Sequence, residues 1–215
     1  MQYEIGIDEA GRGALAGPIC VGAVLVPRGF DWQSIFRSIT KRGVPRLRDS
    51  KQLSAQQREI VFNLIENHGS LRHSFALVSA DTIDEIGISN AAREAAAIAL
   101  GALGISAGRA KVLLDAGLSV SSEWEQESFV RGDENIPAIA LASIVAKVSR
   151  DRFMDELAES YVQYRFEKHK GYGTAEHYSA LHIHGVSPAH RKSFVHLPGL
   201  CLNEKRHSSH IQEEK

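Results

Sequence analysis

The segment YEIGIDEAGRG, residues 3–13, decides the fold predicted for this chain. Residues 3–7 have the mixed apolar composition of a short β-strand, and they run directly into two acids, Asp8 and Glu9. In a continuous strand, neighbouring side chains point to opposite faces, so both acids can serve one site only if the strand ends there. The Gly-Arg-Gly triplet at 11–13 supplies such a break. We therefore predict a strand that ends at an acidic pair and passes into a glycine loop.

Outward from this segment, strand patterns alternate with helix patterns. Further strands are predicted at 19–26, 71–78, 111–114 and 128–130, and helices at 54–69, 88–103, 137–161 and 174–184. A capping box, Ser54 followed three residues later by Gln57, begins the first helix. The long helix begins at Pro137 and is rich in small residues, which permit close packing against a sheet. This alternation predicts an α/β fold in which a central mixed β-sheet is flanked by helices.

The composition favours one domain and excludes several classes of protein. The chain has 215 residues, of which 43% are hydrophobic and 24% charged, and its formal net charge is −1. It can bury one substantial core, but its overall charge does not indicate a nucleic-acid partner. The two cysteines, Cys20 and Cys201, argue against a disulfide framework or a thiolate zinc site. The apolar run 14–26 is too short to span a bilayer, and no export signal is visible, so we expect a cytoplasmic protein. We predict a catalytic domain at 1–200 and a polar tail at 201–215.

Four acids stand where predicted elements begin or end. Asp8 and Glu9 follow the first strand, Asp115 follows a later strand, and Asp133 precedes the long helix. Each has an ordinary alternative, because the pair could form a solvated turn, Asp115 could end a strand, and Asp133 could bond its own turn. If the four converge, their repulsion calls for a cation, and carboxylate oxygens suit Mg²⁺ or Mn²⁺. Two such ions about 3.5–4 Å apart can activate water and stabilise the leaving oxygen in phosphodiester cleavage.

Basic residues and one tyrosine are candidate contacts to nucleic acid. Six basic residues lie in one predicted loop: Arg37, Lys41, Arg42, Arg46, Arg48 and Lys51. They suit phosphates, although a solvated surface loop has the same composition. Tyr172 lies beside Lys170 between two glycines, which suits stacking on a base or sugar or, alternatively, packing in the core. The glycine triplet at 11–13 lets backbone N–H groups approach a phosphate or sugar, although a tight turn alone would also explain it.

Five motifs follow one another along the chain. They are IDEAGRG at 7–13 with LAGP at 15–18, DSKQLS at 49–54, GD at 132–133 with ASIVAKVSRD at 142–151, HKGYGT at 169–174, and GVSPAHRKSF at 185–194. Together they resemble the ribonuclease HII family, and the resemblance runs from residue 3 to about residue 197. It implies an RNase H-like fold, consistent with the α/β prediction.

The resemblance also implies roles for individual residues. The metal-binding catalytic acids would be Asp8, Glu9, Asp115 and Asp133. The substrate-binding residues would be Gly11, Arg12, Gly13, Lys51, Lys147 and Tyr172. Gly11, Arg12 and Gly13 would cradle the ribonucleotide and sense its 2′-hydroxyl. Tyr172 would pack on the neighbouring deoxyribose, and the two lysines would contact phosphate or the active site. The implied cofactor is Mg²⁺ or Mn²⁺.

The implied reaction cuts RNA–DNA hybrids and ribonucleotide-containing duplex DNA, and it leaves a 3′-hydroxyl and a 5′-phosphate. We expect a monomer with no membrane partner, and the tail holds no apolar-aromatic motif for docking a sliding clamp. The chain departs from the family pattern in two places. Ala116 follows Asp115 where the family usually has glycine, and Gly87 stands where it usually has asparagine.

Two other functions remain open from the sequence. A sugar or acetate kinase-like phosphotransferase also has a first strand that ends in an acid followed by glycine, but such an enzyme should carry a second glycine-rich phosphate loop and about twice the length. The second alternative is a protein that binds hybrids without cutting them and retains an inactive acidic site.

Overall fold

The computed structural model describes residues 1–33, 35 and 53–196, and a five-stranded sheet lies at the centre of this part of the chain. The strands are β1 (Tyr3–Ala10), β2 (Ile19–Pro27), β3 (Arg72–Val78), β4 (Ala110–Asp115) and β5 (Gln126–Phe129). The helices are α1 (Ala55–Glu66), α2 (Ala80–Ile86), α3 (Ile88–Ala102), α4 (Gly132–Asn135), α5 (Pro137–Ser160), α6 (Phe166–His169) and α7 (Ala175–His184). Two short 3-10 helices cover Ala107–Arg109 and Val162–Tyr164.

The sheet has the order β3-β2-β1-β4-β5, which places the first strand at its centre. β1 pairs antiparallel with β2 and parallel with β4. The prediction of a mixed sheet flanked by helices is therefore confirmed. The strand was predicted to end at the acidic pair, but pairing with β2 continues one residue further, to Ala10 opposite Cys20. On the other edge, pairing with β4 stops at Ile7 opposite Leu114, so the acids lie where β1 extends beyond that neighbour.

Helix α5 packs on one face of the sheet with its backbone close to the strands. A Cβ atom on Gly6 of β1 would collide with the carbonyl group of Ala138, and one on Gly22 of β2 would meet the backbone of Ala142 and Ala146. The small residues predicted to allow close packing thus face glycines in the sheet. The buried residues Val24, Leu141 and Val145 belong to the core on this side, which also takes in the inner face of α1.

The opposite face of the sheet is covered by α3. Its buried residues are mostly alanines: Ala91, Ala92, Ala95, Ala96, Ala99 and Leu100. They pack against apolar side chains of β1, β2 and β4, among them Ile7, Val21 and Val112. Their burial removes apolar surface from water, which is the main favourable contribution to folding.

Local signals placed the long helices well and missed three short ones. The capping box of α1 is confirmed, since the Ser54 hydroxyl accepts from the Gln57 N–H and the Gln57 side chain accepts from the Ser54 N–H. Thr174 caps α7 in the same manner by accepting from the His177 N–H. The short helices α2, α4 and α6 were not predicted. Residue Ser79, which caps α2, is the signal that could have revealed the first of them.

A third apolar cluster joins the loop between β1 and β2 to the C-terminal part of the fold. Leu15 and Ala16 of this loop are buried with Met154 of α5, Phe166 of α6 and Leu181 of α7. Backbone hydrogen bonds reinforce the contact: the Leu15 and Ala16 N–H groups donate to the Gly171 carbonyl. Two sequence motifs far apart in the chain therefore form one structural unit.

Several predictions fall outside the residues that the structure describes. Lys51 and the basic loop that precedes it lie outside them, as do Cys201 and the predicted tail. Within the described ranges, no helix combines the length and apolar character required to cross a membrane. Cys20 is a buried free thiol on β2, and burial raises its pKa to about 12.

Candidate active site

Asp8 and Glu9 lie on the same pocket although they are neighbours within one strand. The pocket has a volume of about 350 Å³ and is bordered by the 8–13 segment, by Asp133 and by one face of α5. Asp8 is buried and faces α5, with its Oδ1 accepting from the Glu9 N–H at 2.8 Å. Glu9 points the other way, and its Oε1 accepts from the Arg12 Nε at 2.7 Å. Because β1 has no β4 neighbour at this level, both side chains reach the open end of the sheet.

Asp115 and Asp133 approach this end of the sheet from two other elements. Asp115 is the last residue of β4, and Asp133 lies in the first turn of α4. The Asp115 Oδ1 accepts from the Gly132 N–H at 2.8 Å, which ties the end of β4 to the start of α4. Asp133 is only 1% exposed and lines the pocket.

The pKa of Asp8 shows that the four carboxyl groups interact. Burial raises the pKa of Asp8 well above its usual range, and the charges of Glu9, Asp115 and Asp133 raise it further, against a lowering by the Glu9 N–H. Each of these carboxylates makes the ionised form of Asp8 less favourable. The structure thus places Asp8 within electrostatic range of three other acids, two of which, Asp115 and Asp133, come from distant parts of the sequence.

The acids fit a divalent cation by their chemistry, although their side chains are not arranged as a completed cage. Within residues 1–33, 35 and 53–196, no three acidic, histidine or cysteine side chains are grouped as a metal-binding cluster. Glu9 is drawn to Arg12 and Asp115 to the Gly132 N–H, as expected of carboxylates that find other donors. The second oxygen of Glu9, Oε2, is buried and accepts no hydrogen bond in the described part of the chain. A cation with oxygen ligands would satisfy this oxygen and relieve the repulsion at Asp8.

Two buried arginines hold the loop that follows the acids. Arg150 of α5 donates to the carbonyl groups of Ala16, Pro18 and Lys170 at 2.9–3.1 Å. Gly11 passes directly over this guanidinium, and a Cβ at position 11 would collide with its Nε. The absence of a side chain at Gly11 is thus explained by packing within the protein.

Arg191, from the C-terminal motif, holds the same loop from the other side. Its Nε donates to the Gly17 carbonyl at 2.9 Å and its Nη1 to the Arg12 carbonyl at 3.0 Å. Burial, followed by the charge of Arg150, lowers the pKa of Arg191 to about 9. Neither Arg150 nor Arg191 forms an ion pair within the described residues, and their hydrogen bonds go to backbone carbonyl groups instead.

Carbonyl groups of this loop accept hydrogen bonds from the two arginines, and two of its backbone N–H groups remain available to a ligand. Among the described residues, no acceptor receives a hydrogen bond from the backbone N–H of Arg12 or Gly13. Gly13 is exposed, and a Cβ added there would meet no atom within 4 Å. In contrast to Gly11, nothing in the surrounding protein requires position 13 to be glycine.

Tyr172 and Lys147 complete the wall of the pocket opposite the acids. The Tyr172 ring lies near two cations, with the Arg150 guanidinium carbon 5.3 Å and the Lys147 Nζ 5.8 Å from its centroid. Lys147 also pairs with Asp151 at 2.7 Å, one turn along α5. The alternative that Tyr172 is packed in the core is wrong, because the residue is only partly buried and lines the pocket.

The structure adds residues that the sequence interpretation missed. Arg58 of α1 lines the same pocket, and its Nη1 donates to the Leu53 carbonyl at 2.5 Å. The sequence places Arg58 on a helix, directly after the capping box, but does not indicate which way its side chain points. Arg150 and Arg191 belong to the sequence motifs, but the motifs did not indicate their role. Each arginine binds a carbonyl group more than 130 positions away in the sequence.

The two departures from the family pattern lie at backbone positions with positive φ or next to one. Gly117, directly after Ala116, has φ +93°, so the turn that follows Asp115 places its glycine one residue later. Gly87 joins α2 to α3 with φ +79° and ψ 152°, a region that essentially only glycine populates. Both segments keep a residue suited to their backbone conformation.

The fold and sequence are similar to proteins of known family. The family described as Ribonuclease HII matches residues 5–197. A Ribonuclease HII of Geobacillus kaustophilus is 43% identical over 190 residues, which cover 88% of this chain and 67% of that protein. The crystal structure of ribonuclease H2 from Pyrococcus horikoshii has a TM-score of 0.68 and 26% identity, and the match covers 89% of this chain and 93% of that one.

A more distant structure shares the fold alone. Bst-RNase HIII, solved in complex with Mn²⁺, has a TM-score of 0.60 and 18% identity, over 84% of this chain and 70% of that one. The family match spans both the acid-bearing strands and the C-terminal motif that holds the glycine loop. This chain therefore belongs to the ribonuclease HII family of metal-dependent ribonucleases.

Proposed function

We propose that this chain is an endonuclease that hydrolyses the RNA strand of RNA–DNA hybrids and nicks DNA duplexes at embedded ribonucleotides by a two-metal-ion reaction. The products would carry a 3′-hydroxyl and a 5′-phosphate. One observation carries the proposal: the carboxyl of Asp8 lies under the charges of three other acids, on a pocket that also receives a loop with available N–H donors.

The acids Asp8, Glu9, Asp115 and Asp133 would hold Mg²⁺ or Mn²⁺. Bound there, the two ions would supply an activated water and stabilisation of the negative charge that develops on the leaving oxygen. The contribution of the protein is to bring the acids together on a rigid base. Asp8 and Asp133 are almost fully buried, and the hydrogen bond from Gly132 to Asp115 fixes the fourth acid beside them.

Selection of RNA follows from the loop at residues 11–13. The 2′-hydroxyl is the group that distinguishes RNA from DNA, and it both donates and accepts hydrogen bonds. The N–H groups of Arg12 and Gly13 are suitable donors to it, and the open space beside Gly13 allows a sugar to approach the backbone closely. Arg150 and Arg191 bind carbonyl groups of this loop and would fix its backbone while these N–H groups contact the sugar.

The cationic wall suits the nucleic-acid backbone. Lys147 and Arg58 line the pocket and would neutralise phosphates on either side of the scissile linkage. Tyr172 has cations beside its ring and would pack on the deoxyribose next to the ribonucleotide. Lys51, the monomeric state and the lack of a clamp-docking motif remain predictions from the sequence.

One experiment separates the candidate functions. The protein and its Asp8→Asn variant are incubated with a long hybrid and with a DNA duplex containing one ribonucleotide, in Mg²⁺, Mn²⁺ or EDTA. We expect the wild type to cut both substrates with either metal and neither substrate in EDTA, and the variant to bind without cutting. Glu127→Gln, which removes an acid at β5 away from the pocket, is the matched control and should cut normally.

The alternatives give different results in the same experiment. A protein that only binds hybrids would shift the substrate in a gel without forming product. A phosphotransferase would leave the nucleic acid intact and transfer phosphate from ATP to a small molecule. Cutting by Asp8→Asn at the rate of the wild type would refute the assignment of the acids.

A further inference from the structure

Three buried histidines lie directly behind the Tyr172 loop and are not used in the proposed reaction. His169, His177 and His190 are 7%, 0% and 1% exposed. They pack with the rings of Tyr164 and Phe166, and the His169 and His177 rings are stacked at 4.5 Å. Buried histidine is uncommon unless its nitrogens are hydrogen-bonded, so the partners of these rings show what the cluster does.

A continuous chain of hydrogen bonds runs through two of these rings to Tyr172. The His177 Nδ1 lies 3.0 Å from the Tyr172 carbonyl oxygen, and the His177 Nε2 lies 3.1 Å from the His190 Nε2. At the other end, the backbone N–H of Ser187 donates to the His190 Nδ1 at 3.0 Å, and the Ser187 hydroxyl, which accepts from the Ala189 N–H, lies 2.8 Å from the same nitrogen and donates to it in this arrangement.

The two ends of this chain fix where every proton lies. A carbonyl oxygen only accepts, so the His177 Nδ1 carries a hydrogen and its Nε2 is an acceptor. The His190 Nε2 must then be the donor, which leaves the His190 Nδ1 as an acceptor. An amide N–H only donates, and the Ser187 N–H imposes this same assignment from the opposite end. Both histidines are therefore neutral, in complementary tautomers, with all four ring nitrogens satisfied.

A second proton on either ring would place two N–H groups against each other. The surroundings oppose that proton: burial, with smaller contributions from neighbouring histidines, lowers the pKa of both His177 and His190 to about 4. This chain of hydrogen bonds is intact at neutral pH and acts as a fixed tether between the loop that carries Tyr172 and the loop that carries Ser187.

The tether ends on the residue that faces the pocket. The Tyr172 carbonyl is held by His177, its N–H donates to the His169 carbonyl at 2.9 Å, and its ring lies beside the Arg150 guanidinium. With its backbone fixed on both sides, Tyr172 has little freedom to move its ring relative to the acids.

We infer that His177, supported by His190, is a positioning residue that fixes the Tyr172 loop in the orientation needed to read the junction between ribonucleotide and deoxyribonucleotide. Its effect on cleavage rests on the proposed function, because the substrate contact of Tyr172 is proposed there. Its effect on the loop itself does not, and the two are measured separately.

The first measurement is the protonation of the two rings by histidine nitrogen NMR at pH 7. We expect a hydrogen on Nδ1 in His177 and on Nε2 in His190. His182, which is exposed on the same helix, should show the mixture of tautomers typical of a solvated ring. A charged ring, or the reverse tautomer at His177, would overturn the inference.

The second measurement compares two variants that keep different halves of the tether. In His177→Asn the amide falls near the position of Nδ1 and can still donate to the Tyr172 carbonyl. In His177→Gln the amide reaches the position of Nε2 and keeps the contact with His190 instead. Amide exchange of Tyr172 and Thr174, whose N–H groups donate to the His169 and Tyr172 carbonyls, should be at least tenfold faster in the glutamine variant than in the asparagine variant. Equal exchange, or exchange that follows only the melting temperature, would overturn the inference.

The third measurement connects the tether to cleavage. We expect His177→Gln to lower kcat/KM on a duplex with one ribonucleotide about tenfold more than His177→Asn, and to add no further loss in a Tyr172→Ala background. A further loss in that background would show that His177 does not act through Tyr172 and would contradict the inference. If Tyr172→Ala alone leaves cleavage unchanged, the proposed substrate contact fails, while the exchange measurement still decides the positioning of the loop.

Discussion

Two adjacent polar regions differ in how their side chains are satisfied. The first is formed by the acids at the open end of the sheet, and the second by the buried arginines and histidines behind Tyr172. In the first, burial and then the like charges of neighbouring acids raise the pKa of Asp8. In the second, Arg150, Arg191 and His177 each face backbone carbonyls as donors. Arg12 joins the two, since its side chain binds Glu9 and its carbonyl binds Arg191. The acidic region therefore repels itself in the absence of a cation, whereas most donors of the second region bind acceptors within the protein, the buried Arg191 Nη2 and His169 Nδ1 being exceptions.

The largest expected effect tests the acidic region. Asp8→Asn should lower cleavage by at least about 10³-fold, because the loss of a metal ligand removes several kcal/mol of transition-state stabilisation. The same change should raise the melting temperature in EDTA by roughly 2–4 °C, since it relieves a buried like-charge cluster. Calorimetry and single-turnover cleavage measure the two effects. A fall in melting temperature would mean that the acids stabilise the fold, which would break the contrast between the regions.

The next prediction tests the second region, where a substitution should lower the melting temperature instead of raising it. Arg191→Met leaves the carbonyls of Gly17 and Arg12 without their donor and should destabilise the protein by about 3 kcal/mol. The melting temperature should fall by roughly 6–12 °C. Arg191→Lys retains the charge and one donor group, so its melting temperature should lie between those of the wild type and the methionine variant. If the methionine variant is as stable as the wild type, the guanidinium is not a structural element of the loop.

A smaller effect sharpens the boundary between the regions. Tyr172→Ala should reduce cleavage at a single ribonucleotide about tenfold more than cleavage of a long hybrid, because stacking of this kind contributes about 1–3 kcal/mol. Tyr172→Phe keeps the ring and should behave as the wild type. The ratio of kcat/KM on the two substrates is the measurement, and equal losses would argue against junction reading by Tyr172.

The smallest effect is the response of the two regions to acid. The pKa values of His177 and His190 are about 4 in the folded protein and about 6.5 when unfolded, so the unfolded state binds protons first and stability falls as the pH drops between these values. Asp8 acts with the opposite sign, because its raised pKa favours the protonated folded form as the pH falls. Thermal melts in the Asp8→Asn background isolate the histidines.

In that background we expect the melting temperature to fall by on the order of 5 °C from pH 6.5 to pH 4. Adding His177→Asn should flatten the dependence, whereas His182→Asn, an exposed histidine on the same helix, should not. An unchanged slope in the first double variant would show that the buried pair does not titrate as described.

The sequence predicted the regular elements and the acidic site better than the supports of that site. Periodicity and capping residues placed the long helices, and the acids were recognised because they end elements. The extent of β1 was not predicted, because it depends on how far β2 and β4 pair with it and not on its own residues. The roles of Arg150, Arg191 and His177 depend on contacts between distant segments, for which no local pattern exists.

The two glycines beneath α5 have a consequence for the geometry of catalysis. Gly6 and Gly22 do not line the pocket, yet they set how closely α5 approaches the sheet. Asp8 belongs to the sheet and Lys147 to that helix, so the gap between the acids and the cations depends on the absence of a side chain at two positions that lie near Asp8 in the sheet but outside the pocket. A single methyl group at Gly6 would lift the helix and widen the gap, leaving every active-site residue present but the reacting groups out of reach of one another.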